Sequence, residues 1–156
     1  MKRFEPVWNN ATIYPSIESA EIKKDLKKIS RSLAILTKLS SKLTSALKGK
    51  QLRKKNELEI LEIVTDVFLH YSKILPIVWD FHIYLSAECW QNSGREVVTN
   101  LLLKAENFLA ELAKARVPIQ NFIISCNMQQ FKQFLQHKKI KPYAIELKME
   151  RKKRRF

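Results

Sequence analysis

Apolar side chains recur at intervals of three and four along the first third of the chain: Ile22, Leu26, Ile29, Leu33, Leu36, Leu43 and Leu47. That spacing lays them on one narrow stripe of an α-helix, with Ser40 as the only interruption. A helix over 17–48 follows, its regular turns opening near Ser19. The Ser19 hydroxyl can cap the free first-turn amides, and Glu21 is favourable at the positive end of the helix. Gly49 lies where a terminating glycine belongs.

The same spacing returns in Leu61, Val64, Phe68, Tyr71, Leu75, Val78 and Leu85, with His82 in the remaining slot. This predicts a second helix over 57–86, kinked or split near Leu75 because the Pro76 ring clashes with the preceding turn. After a connection at 88–94, the positions Val98, Leu101, Ala105, Phe108, Leu112 and Ala115 predict a third helix over 95–124, with a second kink at Pro118. Two short helices complete the set, one over 127–136 and one over 142–155 opening at Pro142, a good first helical position. The expected fold is all-α: an antiparallel bundle of three long amphipathic helices with one or two short C-terminal helices. Residues 1–16 form an irregular lead, and the whole of 1–156 reads as one domain.

Composition agrees, since 2 glycines and 5 prolines in 156 residues are too few for a turn-rich β fold. The most apolar stretch, 64–85, contains Asp66, His70, Lys73, Pro76, Asp80 and His82, whose polarity makes burial in lipid expensive. It reads as a core helix with no membrane partner. No apolar run follows the basic N-terminus as a secretory signal would require. Cys89 and Cys126 fit no short metal spacing and read as two buried, reduced thiols of a cytoplasmic protein.

Charge changes the picture more. The net charge is +14. Residues 23–55 hold twelve bases and one acid, Asp25, and residues 132–155 hold ten bases against Glu146 and Glu150. The middle, 56–127, has five bases and nine acids. Two basic blocks flank an acidic centre, and the run Arg151, Lys152, Lys153, Arg154 and Arg155 is the sharpest of their features. It is either a patch for an anionic partner, nucleic acid included, or the solvated end of a helix. The lysines along the first helix read as a solvated face.

A search for chemistry ends quickly. Two glycines build neither a GxGxxG turn nor a P-loop, no HExxH is present, and no two histidines stand four apart. No Ser or Cys sits in a nucleophile context. His82 reads as a hydrogen-bonded core histidine, and Trp79, Trp90 and the phenylalanines as packing residues.

One stretch carries a likeness. Trp8-Asn9-Asn10-Ala11-Thr12-Ile13-Tyr14-Pro15-Ser16 resembles the W-D-L-S-D-L-Y-P-S opening of oligoendopeptidase F-type zinc oligopeptidases. Trp8, Tyr14, Pro15 and Ser16 match in register, and Ile13 matches conservatively. An acidic, capped helix with a D-L pair follows in the family, and here Asp25-Leu26 stands in that place. Ile83-Tyr84-Leu85-Ser86-Ala87 is similar to the family's Y-x-x-L-x-x-A-x-D region. Asn9-Asn10 departs from the acid and apolar pair, and Pro76 and Pro118 interrupt helices that are usually smooth.

The resemblance covers the chain as the family's N-terminal helical part. It implies a domain that walls a deep cavity and admits short unstructured peptides, without catalysing hydrolysis itself. Zinc is implied for a complete family member, through an HExxH helix further along, and no residue of this chain is implied as a ligand or general base. The implied partners are a catalytic peptidase domain and short peptides, and a basic wall would favour acidic peptides or C-terminal carboxylates. A small basic nucleic-acid-binding protein and a helical interaction module are the alternative readings.

Overall fold

The computed structural model describes residues 12–48, 54–92 and 94–153, with the side chains of residues 54–56 excepted. Three long helices pack on one another: α1 (Ala20–Lys48), α2 (Lys54–Gln91) and α3 (Glu96–Ser125). Two short ones follow, α4 (Met128–Gln136) and α5 (Ala144–Lys153), the latter entered through a 3-10 turn at Lys141–Tyr143. Among the described residues there is no strand. Ser40 of α1 meets Ala115 of α3, while Phe81 and Tyr71 of α2 meet Phe108 and Arg116 in the reverse order. The outer pair α1 and α3 therefore run parallel, with α2 antiparallel to both.

α1 follows its stripe closely. Ile22, Ile29, Leu33, Leu36, Ser40 and Leu43 are buried, and Leu26 and Leu47 pack half-buried at the edge. The Ile22 amide donates to Ser19 Oγ at 3.4 Å, so Ser19 caps a helix whose first residue is Ala20 rather than residue 17. Ser40 is no defect in the stripe, because its hydroxyl donates to the Ala115 carbonyl at 3.2 Å. A buried hydroxyl must find an acceptor, and a helical carbonyl keeps a second lone pair that can serve as one.

α2 departs most from its expected form. It runs unbroken for 38 residues, about 57 Å, and absorbs most of the connection expected at 88–94. Pro76 does not split it: the proline lies exposed on the solvent side, where a freed carbonyl can turn to water. Its buried surface also far exceeds one stripe. Ile60, Ile63, Val67, Ile74, Phe81 and Tyr84 are buried beside Val64, Phe68, Tyr71, Val78 and Leu85, whereas Leu61 and Leu75 are only half-buried. A helix clasped by α1, α3 and α4 buries more than half its circumference, and a stripe search finds only one side of it.

α3 is likewise continuous through Pro118, which is buried. Its last turn hands over to α4 by a capping box, in which Asn127 Oδ1 accepts the Gln130 amide and Gln130 Oε1 accepts the Asn127 amide. Among the described residues no helix is long and apolar enough to cross a membrane.

Candidate functional site

Three places concentrate polar or exposed chemistry, and the first lies where the chain enters α1. A turn joining the Ser16 carbonyl to the Ser19 amide points Tyr14 and Ile17 into the bundle. The Tyr14 ring stands edge-on to Tyr84 (centroids 5.0 Å apart) and to Phe81 (6.2 Å). Its hydroxyl donates to Asp25 Oδ2 at 2.8 Å, across eleven residues of chain. Burial first, then the hydrogen bond to Asp25 and the negative charges of Asp25 and Asp80, raise its pKa far above the usual tyrosine range. Tyr84 is raised as well, by burial and then by Glu88. Tyr14 is thus a permanent neutral donor near neutral pH, suited to holding the segment rather than to acid–base work. Pro15 and Ser16 are exposed beside it, and Trp8 lies outside the described residues.

The second place is the C-terminal basic run, which the structure divides. Arg151 does not face a partner: it is 4% exposed. Because the Asn127 amide bonds the Gln130 side chain, the Ile123 carbonyl at the end of α3 lacks its helical donor. Arg151 Nη1 supplies one at 2.9 Å, while Nη2 donates to the Cys126 carbonyl at 2.8 Å. Nη1 also lies 3.1 Å from Cys126 Sγ, and the guanidinium sits 4.5 Å over the Phe131 ring. The expectation of Arg151 in an anion patch is corrected on this geometry. α5 turns Leu147 and Arg151, four residues apart, toward the core, and the negative end of α3 attracts the cation. Lys152 and Lys153 remain exposed, and Arg154 and Arg155 lie outside the described residues.

Nearby, Arg116 Nη2 bridges to Glu150 Oε2 at 3.2 Å, Arg116 Nη1 donates to the Tyr71 hydroxyl at 3.4 Å, and Gln120 donates to Glu150 Oε1 at 3.3 Å. Burial works against the Arg116 charge, but Tyr71 and Glu150 outweigh it and hold the proton more tightly than usual. The cavity walled by Phe68, Tyr71 and this pair is only about 120 Å³, and its main charges satisfy each other. Residues 71, 116 and 150 are too far apart in sequence for any local pattern to reveal them.

The third place is the outside of the bundle. Trp79, Ile83 and Trp90 lie at i, i+4 and i+11 on one side of α2 and are 47%, 51% and 88% exposed. The two tryptophans are therefore surface residues and not packing residues, because α2 turns its opposite side to α1 and α3. Among the phenylalanines, Phe68, Phe81, Phe122, Phe131 and Phe134 are buried as expected. His82, half-buried and edge-on to Trp79 at 6.0 Å, makes no hydrogen bond through its shielded Nδ1. Cys126 is buried, Cys89 is half-buried, and neither is in a disulfide.

Among the described residues, no three His, Cys, Asp or Glu side chains group as a metal ion requires. Set against family models, curated proteins and solved structures, the sequence matches none of them.

Proposed function

We propose that the bundle is the N-terminal, non-catalytic helical domain of an oligoendopeptidase F-like zinc peptidase acting on short peptides, where it helps to enclose the substrate cavity. What carries the reading is a convergence. Tyr14 of the first segment that resembles the family donates to Asp25 of the next one along the chain and stands edge-on to Tyr84 of the distant third. The exposed Trp79–Ile83–Trp90 stripe supports it further, because an apolar strip on a helix that is otherwise well packed is where a catalytic half would dock.

The deciding experiment is the native size of the protein. An antibody raised against this 18.4 kDa segment is used to blot extract from cells that make it, and the coding sequence is read beyond Phe156. A band several times larger, with HExxH downstream in the same frame, is the expected result. A native species of 18.4 kDa with no such frame would sink the proposal.

A further inference from the structure

The first half of α1 breaks three rules of helix electrostatics together. Lys23, Lys27 and Arg31 stand four apart, as do Lys24 and Lys28, so like charges are stacked along adjoining rows. All five lie in the first half of the helix, and Lys23 at its positive end, where a cation is disfavoured. Asp25, the one acid among them, is held by the Tyr14 hydroxyl. Among the described residues the ion pairs are Arg95–Glu18 and Arg116–Glu150, so none of these cations has one. Nothing in the fold requires five cations here; each is exposed and none touches the core. Local rules broken together without a folding gain mark a site kept for binding.

The tertiary structure gives that charge a shape. Between α1 and α3 runs an open groove of about 530 Å³, with Lys27 and Arg31 on one wall and Lys104 on the other. Ser30 and Asn107 stand among them, and the half-buried Leu26 and Phe108 form the floor. No acid lines this part of the groove. Further along the same two helices, Glu111 enters the lining.

We propose that this groove binds a short acidic peptide segment, its carboxylates between Lys27, Arg31 and Lys104 and one apolar side chain on Leu26 and Phe108. Ser30 and Asn107 are placed to hydrogen-bond its backbone. Two features select a peptide over a nucleic acid. Further along, Glu111 and Lys114 line the groove together and offset each other, so the uncompensated positive stretch is short and suits two or three carboxylates better than a continuing phosphate chain. The one aromatic in the floor, Phe108, is half-buried and packs 6.5 Å from Phe81, so it can take one apolar side chain but is no platform for successive stacked bases. The proposal stands apart from the peptidase reading: an 18.4 kDa native band would leave it intact, and its failure would leave that reading intact.

The test is a titration of the full chain with a labelled octapeptide of Asp and Glu around one Leu. Its Gln and Asn counterpart and an oligothymidylate of equal charge serve as comparison probes. The triple variant K27Q/R31Q/K104Q is compared with K138Q/K139Q/K141Q, which removes three exposed lysines at the far end of the chain. The acidic octapeptide is expected to bind and the neutral one not. The groove variant should lose about tenfold in affinity, from three contacts of roughly half a kcal/mol each, and the distant variant less than twofold. The groove variant should also melt about 2–4 °C higher, because the repulsion in α1 is relieved; this shows that it folds. Equal losses in both variants would reduce the effect to overall charge and overturn the proposal. So would tighter binding of the oligothymidylate, or no binding of the acidic octapeptide.

Discussion

The lead segment before α1 and the helix α5 at the other end of the chain each send a long polar side chain into the three long helices, beside the apolar Ile17 and Leu147. At the first it is Tyr14, a neutral hydroxyl that reaches a charged acceptor, Asp25, from within a nest of aromatic rings. At the second it is Arg151, a full charge taken into the interior and met only by carbonyl dipoles, a sulfur and a ring face. The hydroxyl costs little to bury and leaves Asp25 half in water. The guanidinium costs several kcal/mol to desolvate, and two charge-assisted bonds of about 1.5–3 kcal/mol each and a cation–π contact of up to about 2 kcal/mol roughly offset that. The net stability from Arg151 is thus small beside what is lost when it is removed, since its absence strands the carbonyls. Its role is to fix where α5 sits.

That contrast can be broken most severely at Arg151. Arg151→Ala should cost about 3 kcal/mol, from orphaned carbonyls and lost packing, and lower Tm by roughly 6–12 °C. Amide exchange should quicken in α5 while α1 and α2 keep their protection. A melt within 1 °C of the parent would show that the buried charge holds nothing. Arg151→Lys should lose about half as much, because one ammonium cannot span both carbonyls and still cover Phe131.

At the other tether the expected effect is smaller and pH-dependent. Tyr14→Phe keeps the ring contacts and should cost about 1 kcal/mol at pH 7, read in urea melts. Tyr14 holds its proton more tightly folded than unfolded, so its contribution is intact below the ordinary value near 10 and declines as pH rises above it. Parent stability should fall by up to about 1.4 kcal/mol per pH unit per such tyrosine above pH 10, and less steeply in Tyr14→Phe. Identical slopes in both proteins would remove the pKa argument.

Two further changes place the tethers on a scale. Ser40→Ala, which removes the hydroxyl bond to the Ala115 carbonyl between α1 and α3, should cost about 1 kcal/mol by the same melts. Trp79→Ser with Trp90→Ser should change stability by no more than about 0.5 kcal/mol, since both rings are surface residues. It should instead reduce self-association or retention on a hydrophobic column. A loss as large as that of Ser40→Ala would mean the tryptophans pack after all.

How far the sequence could be read differs from element to element. α1 was legible almost residue by residue, because it buries one face and a single-faced helix writes its contacts as a stripe. α2 was legible as a helix but not in its core, because a helix packed from several sides hides the second side in what looks like its flank. At Pro76 the helix is kinked or split on the sequence alone, and of these two outcomes the split does not occur, since α2 runs through it. Of the site residues, Tyr14 was found through a motif. Its partnership with Asp25 and Tyr84, the Arg116–Glu150 bridge and the groove of Lys27, Arg31 and Lys104 had no local signal, since each joins residues from different helices.

The sequence by itself determined the helices, their number and the stripe by which α1 packs, because helical periodicity and end signals act within a few residues. It also determined how much positive charge the chain carries and in which blocks. Only the tertiary structure decided what that charge does. The C-terminal run loses Arg151 to the end of α3, where the carbonyls of Ile123 and Cys126 accept its guanidinium. The lysines of α1 gain Lys104 as a neighbour across a groove, because α1 and α3 lie parallel and, among the described residues, the groove between them is open. Charge adds along a chain, but a site depends on which charges share a surface, and that is set by packing between residues far apart in sequence.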